Sequence, residues 1–236
     1  MKKRRQRVAT ALEKMSKTMA KLTEYTSYAD AQTHATSAAL WDLFDGDRET
    51  FNIAYECITR HADGSGRTAV RIAHSAGKNE ILSFDEINSA SAQFAHWLID
   101  NGIQPGDRIA FMLEPSLPFY TSLFGAMMMG AISVPLFTLF GLDGLRLRVD
   151  DCKPSLLITN DDKAEIAHQV EGLRVVVAND SMLDDISKYP KTFNSKTKAG
   201  DMAVFQYTSG TTRELPAAVK HTHRSLVNMM FAALYG

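Results

Sequence analysis

The stretch RIAFMLEPSLPFYTSLFGAMMMGAISVPLF, residues 108–137, decides how the chain is read. No charged residue occurs between Glu114 and Asp143, and a run of that length is long enough to span a bilayer. Pro118, Gly125, Gly130, Pro135 and Gly141 punctuate it. A buried strand in RIAFML, a helix from Pro118 to Met129, a turn at Gly130 and a buried strand through AISVPLF account for the same residues without lipid. Met127, Met128 and Met129 are consecutive rather than on one helical face, so core packing is their expected role.

The same alternation extends in both directions. Upstream, TAVRIAH and EILSF have strand patterns, and Ser83 with Glu86 forms a capping box. The helix it opens turns Ile87, Phe94, Trp97 and Leu98 inward and ends at Gly102; IQPGD then makes a turn. Downstream come a helix from Leu142 to Asp151, the strand SLLIT, a helix from Asp162 to Glu171 and the strand LRVVVA. MAVFQY reads as a further strand, TSGTT as a loop, and THRSLVNMMFAALY as a helix starting near Thr222. Alternating helices and near-continuous apolar strands predict an α/β fold with a parallel-rich sheet flanked by helices.

Composition narrows the class. With 236 residues, 45% hydrophobic and 22% charged, the chain is long enough to bury a core. Its 26 basic and 27 acidic side chains nearly cancel, so no overall field recruits nucleic acid or a membrane. Cys57 and Cys152, far apart in sequence, do not form a disulfide framework and fit a reducing, cytoplasmic setting. The N-terminal MKKRRQR is followed by Val8, Leu12, Met15, Met19 and Leu22 on one helical stripe. Glu13, Lys14, Lys17 and Lys21 interrupt it, which excludes a secretory signal and leaves a packed helix, a surface-binding helix or a targeting segment.

In parallel sheets, ligands collect where strand carboxyl ends lead into loops, and the loop after MAVFQY occupies such a place. Gly210 lets backbone N–H groups converge, and the hydroxyls of Thr208, Ser209, Thr211 and Thr212 add rotatable donors for phosphate oxygens. An ordinary turn or cap uses the same residue types. It is not a Walker loop, since GKN at Gly77 ends in asparagine.

YTSGTT, followed by a proline, a valine and HTHRSL, resembles the phosphate loop of the AMP-forming adenylating enzymes. This superfamily includes acyl-CoA synthetases, peptide-synthetase adenylation domains and luciferases. LSFDEINSASAQFAHWLIDNGIQPGDRIAF, GAISVPL and DDCKPSLLITND resemble further segments of the family in the same order, and NIAYECITRHAD resembles its acyl- and acetyl-CoA synthetase branch. The resemblance covers residues 50–236, a partial adenylation domain, behind a helical extension at 1–49. It implies a ligase in which a small-molecule carboxylate attacks the α-phosphorus of ATP, releasing pyrophosphate. A thiol, usually that of coenzyme A, then displaces AMP. The loop would hold the β- and γ-phosphates while Mg²⁺ offsets their charge.

Two departures accompany the resemblance. Arg213, Glu214 and Leu215 precede Pro216, one residue more than the family pattern, and Ala217 and Ala218 stand where lysine and glycine are usual. Arg213 or Lys220 would have to supply the missing cation; Arg213, beside the hydroxyl cluster, is the preferred substitute. The second departure is length: the family's adenine segment, aromatic-Thr-Glu motif, ribose-binding aspartate and catalytic lysine would all follow Gly236. The expectation is therefore a truncated N-terminal subdomain, its catalytic residues unknown, that self-associates through an unfinished sheet edge. A catalytically incomplete remnant that binds nucleotide weakly, or acts through protein contacts, is the rival reading. His221 and His223 read as polar residues at a helix start rather than metal ligands. The pairs Asp150–Asp151, Asp161–Asp162 and Asp184–Asp185 read as solvated loops and helix N-termini.

Overall fold

The computed structural model describes residues 20–74, 77, 79–207 and 217–235. These divide into two compact units, one of 20–45 with 227–235 and the other Gly46–Leu226. In the first, helices α1 (Tyr28–His34) and α2 (Ser37–Trp41) are N-capped by the hydroxyls of Ser27 and Thr36, which accept the Asp30 and Ala39 N–H groups. Helix α9 (Ser225–Tyr235) runs from the second unit into the first.

The second unit carries the chemistry. After the short helix α3 (Ile53–Cys57), strands β1 (Thr68–Ala73) and β2 (Asn79–Ser83) pair antiparallel. The Ser83–Glu86 capping box is formed in both directions and opens α4 (Phe84–Asp100), which buries Ile87, Phe94 and Leu98 completely. Trp97 is half-buried and stacks on Phe94, with ring centroids 5.6 Å apart.

A six-stranded sheet follows in the order β6-β5-β3-β4-β7-β8. It is built from β3 (Arg108–Met112), β4 (Ile132–Pro135), β5 (Leu156–Thr159), β6 (Val175–Val177), β7 (Met202–Gln206) and β8 (Val219–Thr222). Helices α5 (Leu117–Met129), α6 (Leu142–Cys152), α7 (Asp161–His168) and α8 (Asp180–Ser187) connect the strands.

Strand side chains alternate between faces, and here both faces are apolar. Ile109, Phe111, Leu156, Ile158 and Ala203 join the core under α4, α5 and α8; Ala110, Met112, Leu157, Val134 and Phe205 join the core under α6 and α7. Residues 108–137 resolve as expected into β3, α5 and β4, with Met127–Met129 buried. Ser116 caps α5, and Gly130 ends it at φ +89°, a left-handed conformation that favours glycine. Among the described residues no helix is long and apolar enough to cross a membrane.

Three details differ from the sequence reading. Residues 219–222 form β8, antiparallel to β7, and the final helix begins at Ser225 rather than Thr222. Lys220 and His221 pair with Phe205 and Val204, so main-chain bonding to a neighbouring strand outweighs helical pattern here. Helix α7 stops at His168, short of Glu171, with Gly172 at φ +73° in the turn beyond. Helix α8 was not anticipated; Asn179 caps it, and Met182 and Ile186, four apart, face inward.

Candidate active site

Strand order locates the ligand edge. The helix leaving β3 (α5) and the helix leaving β4 (α6) cover opposite faces, so the strand order reverses between these neighbours, the place where sheets of this kind collect ligands at the strands' carboxyl ends. There a hydrogen bond links the two strand ends: Thr138 Oγ1, just past β4, donates to Glu114 Oε1, just past β3. Strand β7 lies directly beside β4, and its carboxyl end delivers Tyr207 to the same edge.

Tyr207 is heavily tethered. Its hydroxyl donates to Asp151 Oδ2 at 2.5 Å and lies 3.3 Å from the Arg148 carbonyl oxygen, both at the end of α6. Burial, then the bond to Asp151, raises the phenol above its usual range, so the ring stays a neutral donor. The buried Cys152 thiol beside it is pushed up by desolvation, which keeps it an inert thiol. Cys57, likewise free, is pushed up to about 11 by burial.

Arg148 sits in the same cluster and is only 6% exposed. Its guanidinium carbon lies 3.6 Å from the Phe140 ring centroid and 5.6 Å from that of Tyr207. Nη1 donates to the Gly144 carbonyl at 2.8 Å, while Nε is buried without a partner. Past β4, Phe137 and Leu139 are 60% and 75% exposed, leaving an apolar rim on this edge.

Of the expected phosphate-binding residues, Thr208, Ser209, Gly210, Thr211, Thr212 and Arg213 lie outside the described residues. Lys220 is on β8, exposed, with its ammonium 5.0 Å from the centre of the Phe205 ring. The two histidines part company. His221 is half-buried on β8, whereas His223, at the start of α9 where its carbonyl accepts the Leu226 N–H, is fully buried. Its Nδ1 accepts the Ile53 N–H at 3.1 Å, and desolvation pulls it down to about 4, so it is neutral at pH 7. Among the described residues no three His, Cys, Asp or Glu side chains gather as a metal site. Asp161 and Asp162 occupy the first turn of α7, and Asp185 pairs with Lys188 at 2.8 Å on the surface.

Arg148, Tyr207, Glu114 and Thr138 were not singled out in the sequence. Arg148 left one readable trace: it falls on the stripe of Leu145, Val149 and Cys152, the buried side of α6, where a charged residue is unexpected. The Glu114–Thr138 bond depends on strand order, which no local spacing encodes.

The sheet and its flanking helices define an α/β architecture with a mostly parallel sheet. The model of the AMP-binding enzyme family matches residues 59–235. A crystal structure of an acyl-CoA synthetase from Brucella canis superposes with a TM-score of 0.77 at 25% identity, covering 86% of this chain and 39% of that one. Fusarin C synthetase of Gibberella fujikuroi is 30% identical over 153 residues, 64% of this chain and 4% of its own length. Tyrocidine synthase 3 of Brevibacillus parabrevis is 29% identical over 175 residues, 73% of this chain and 3% of its own. The chain thus spans well under half the length of these relatives, and it belongs to the AMP-binding enzyme family.

Proposed function

We propose that the chain supplies the ATP polyphosphate-binding part of an AMP-forming carboxylate–CoA ligase. What supports this reading is the sequence position of Thr208–Thr212: in a chain of the AMP-binding enzyme family, this run of hydroxyls around one glycine comes directly after β7 and Tyr207 in the sequence. In the proposed reaction, a carboxylate oxygen bonds to the α-phosphorus of ATP and pyrophosphate leaves. The thiolate of coenzyme A then bonds to the acyl carbon and AMP leaves. ATP enters with Mg²⁺ as substrate. Backbone N–H groups near Gly210 and the hydroxyls of Thr208, Ser209, Thr211 and Thr212 hold the β- and γ-phosphates, with charge from Arg213 or Lys220 in place of the absent lysine. Such catalysis is mostly positioning and electrostatic stabilisation.

In this reading residues 50–236 are the adenylation portion and 1–49 an extension, the setting is cytoplasmic, and the outer strands β6 and β8 are edges open to self-association. A second reading draws on the relatives named fusarin C synthetase and tyrocidine synthase 3: the carboxylate is an amino acid and the accepting thiol belongs to a carrier rather than to coenzyme A.

Carboxylate-dependent exchange of labelled pyrophosphate into ATP tests both readings. Stimulation by fatty or aryl acids supports the acyl-CoA synthetase reading, and stimulation by amino acids supports the second. ATP binding without exchange for any acid identifies a catalytically incomplete remnant. Absence of both contradicts nucleotide chemistry in this chain.

A further inference from the structure

A cavity of about 360 Å³ opens at the amino ends of β3, β4 and β7, the sheet edge opposite the one proposed to take ATP. That volume is at the small end of the range that holds ligands, about 300–1,000 Å³. Buried Met129 and Ile132 give it an apolar interior, and exposed Pro105 and Met202 carry that surface to the mouth. The lining hydroxyl is already committed: Thr197 Oγ1 donates to the Phe51 carbonyl at 2.7 Å and accepts from Asn52 Nδ2 at 3.0 Å. The interior side chains therefore offer an entering molecule apolar contact.

Charge stands at the mouth, where the positive sign is the freer one. Lys196 lines it, exposed, and among the described residues forms no ion pair. It belongs to the segment 186–200, which carries Lys188, Lys191, Lys196 and Lys198 and no acid. Asp201 also lines the mouth, and Asp107 follows Gly106 in the facing turn. Each has one carboxylate oxygen tied into its own turn: Oδ2 of Asp201 accepts the Lys198 N–H at 2.8 Å, and Oδ2 of Asp107 accepts the Gln104 N–H at 2.9 Å. An anionic head beside Lys196 with an apolar body inside matches this arrangement.

We propose that this cavity is a binding site for a small monocarboxylate with an apolar body, its carboxylate paired with the Lys196 ammonium and its body against Met129, Ile132 and Met202. The site uses no residue of 208–212, so it stands or falls apart from the ATP reading. It is also distinct from the place where an acid would meet ATP, which that reading puts at the carboxyl edge.

The test is NMR titration of the 236-residue chain, carbon-13 labelled at its methionine methyls, with sodium hexanoate. Met129→Leu and Met202→Leu assign the two resonances that line the cavity. Both should move saturably, whereas a carboxylate held at the opposite edge would leave them in place. Butyrate should bind more weakly, by about fourfold for each methylene removed. Lys196→Ala should weaken hexanoate binding about 2- to 5-fold, the size of an exposed ion pair, and added salt should weaken it in the wild-type chain. Hexylamine, with the same body and the opposite charge, should bind less tightly than hexanoate.

Unmoved Met129 and Met202 resonances overturn the inference, whatever shifts occur elsewhere. So does equal affinity for hexanoate in Lys196→Ala and the wild-type chain, or tighter binding of hexylamine. Should Lys196→Ala fail to fold, the salt dependence in the wild-type chain decides in its place, and affinity that ignores salt overturns the pairing with Lys196.

Discussion

The Nδ1 atom of His223 accepts the backbone N–H of Ile53 at 3.1 Å, tying the segment after β8 to the start of α3 across 170 residues of sequence. The imidazole is fully buried and, among the described residues, its Nε2 has no hydrogen-bond partner, so burial favours the neutral ring. Its proton affinity drops from the ordinary 6.5 to about 4, with the Asp201 charge opposing the shift only in part.

Burial of this ring makes stability pH-dependent. Between pH 6.5 and 4 the unfolded chain takes up a proton that the folded chain excludes, so stability falls on acidification through that window. The loss amounts to about 3 kcal/mol over the window, at 1.36 kcal/mol per pH unit. His223→Asn keeps an acceptor for the Ile53 N–H but cannot titrate. Urea melts at a series of pH values should show a flatter profile in this variant; identical slopes would assign the dependence to other groups.

Asn52 performs three tasks at one buried point. Its Nδ2 donates to the Met127 carbonyl at 2.8 Å and to Thr197 Oγ1 at 3.0 Å, and its Oδ1 caps α3 by accepting the Tyr55 N–H at 3.1 Å. Asn52→Ala removes the cap, the bond to Thr197 and one of the two hydrogen bonds on the Met127 carbonyl, the other coming from the Gly130 N–H at 3.2 Å. We expect a loss of about 2–4 kcal/mol in urea unfolding. A loss below about 1 kcal/mol would mean that water replaces these bonds.

Gly125 tests the close packing of α5 on α4. Helix propensity alone would have Gly125→Ala stabilise by up to about 1 kcal/mol. A methyl there would stand 2.8 Å from both Phe94 Cδ1 and the Ser91 carbonyl oxygen, forcing the two helices apart. The expected sign is therefore destabilising, by about 1–3 kcal/mol in denaturant melts. A stabilised variant would show that the helices yield easily.

The two candidate loop cations should differ. Lys220 is anchored on β8 with its ammonium over Phe205, whereas Arg213 adjoins the hydroxyl cluster in sequence. Arg213→Ala should weaken ATP binding more than Lys220→Ala in parallel titrations. The opposite order would reassign the compensating charge.

How much was legible in the sequence follows from how local each signal is. The Ser83–Glu86 box, the Gly130 stop and the breakers in 108–137 act within a few residues, and the corresponding elements formed where expected. β8 was hidden because VKHT acquires strand character from β7, 13 residues upstream of Val219 at Gln206. The burial of His223 was hidden for the same reason: it comes from packing near Ile53, which no window around residue 223 contains. In the proposed site, the hydroxyl run at 208–212 stands out in the sequence because its residues are consecutive. Arg148 and Tyr207 meet through the juxtaposition of α6 and β7, 59 residues apart, and only three-dimensional placement joins them.

The most direct test of phosphate binding at 208–212 is calorimetric titration of the 236-residue chain with ATP–Mg²⁺, repeated on Thr211→Ala/Thr212→Ala. Saturable binding should be weakened at least about tenfold by the double substitution, given about 1 kcal/mol for each hydroxyl contact to a charged phosphate. Equal affinity in the two proteins would contradict phosphate binding by this loop.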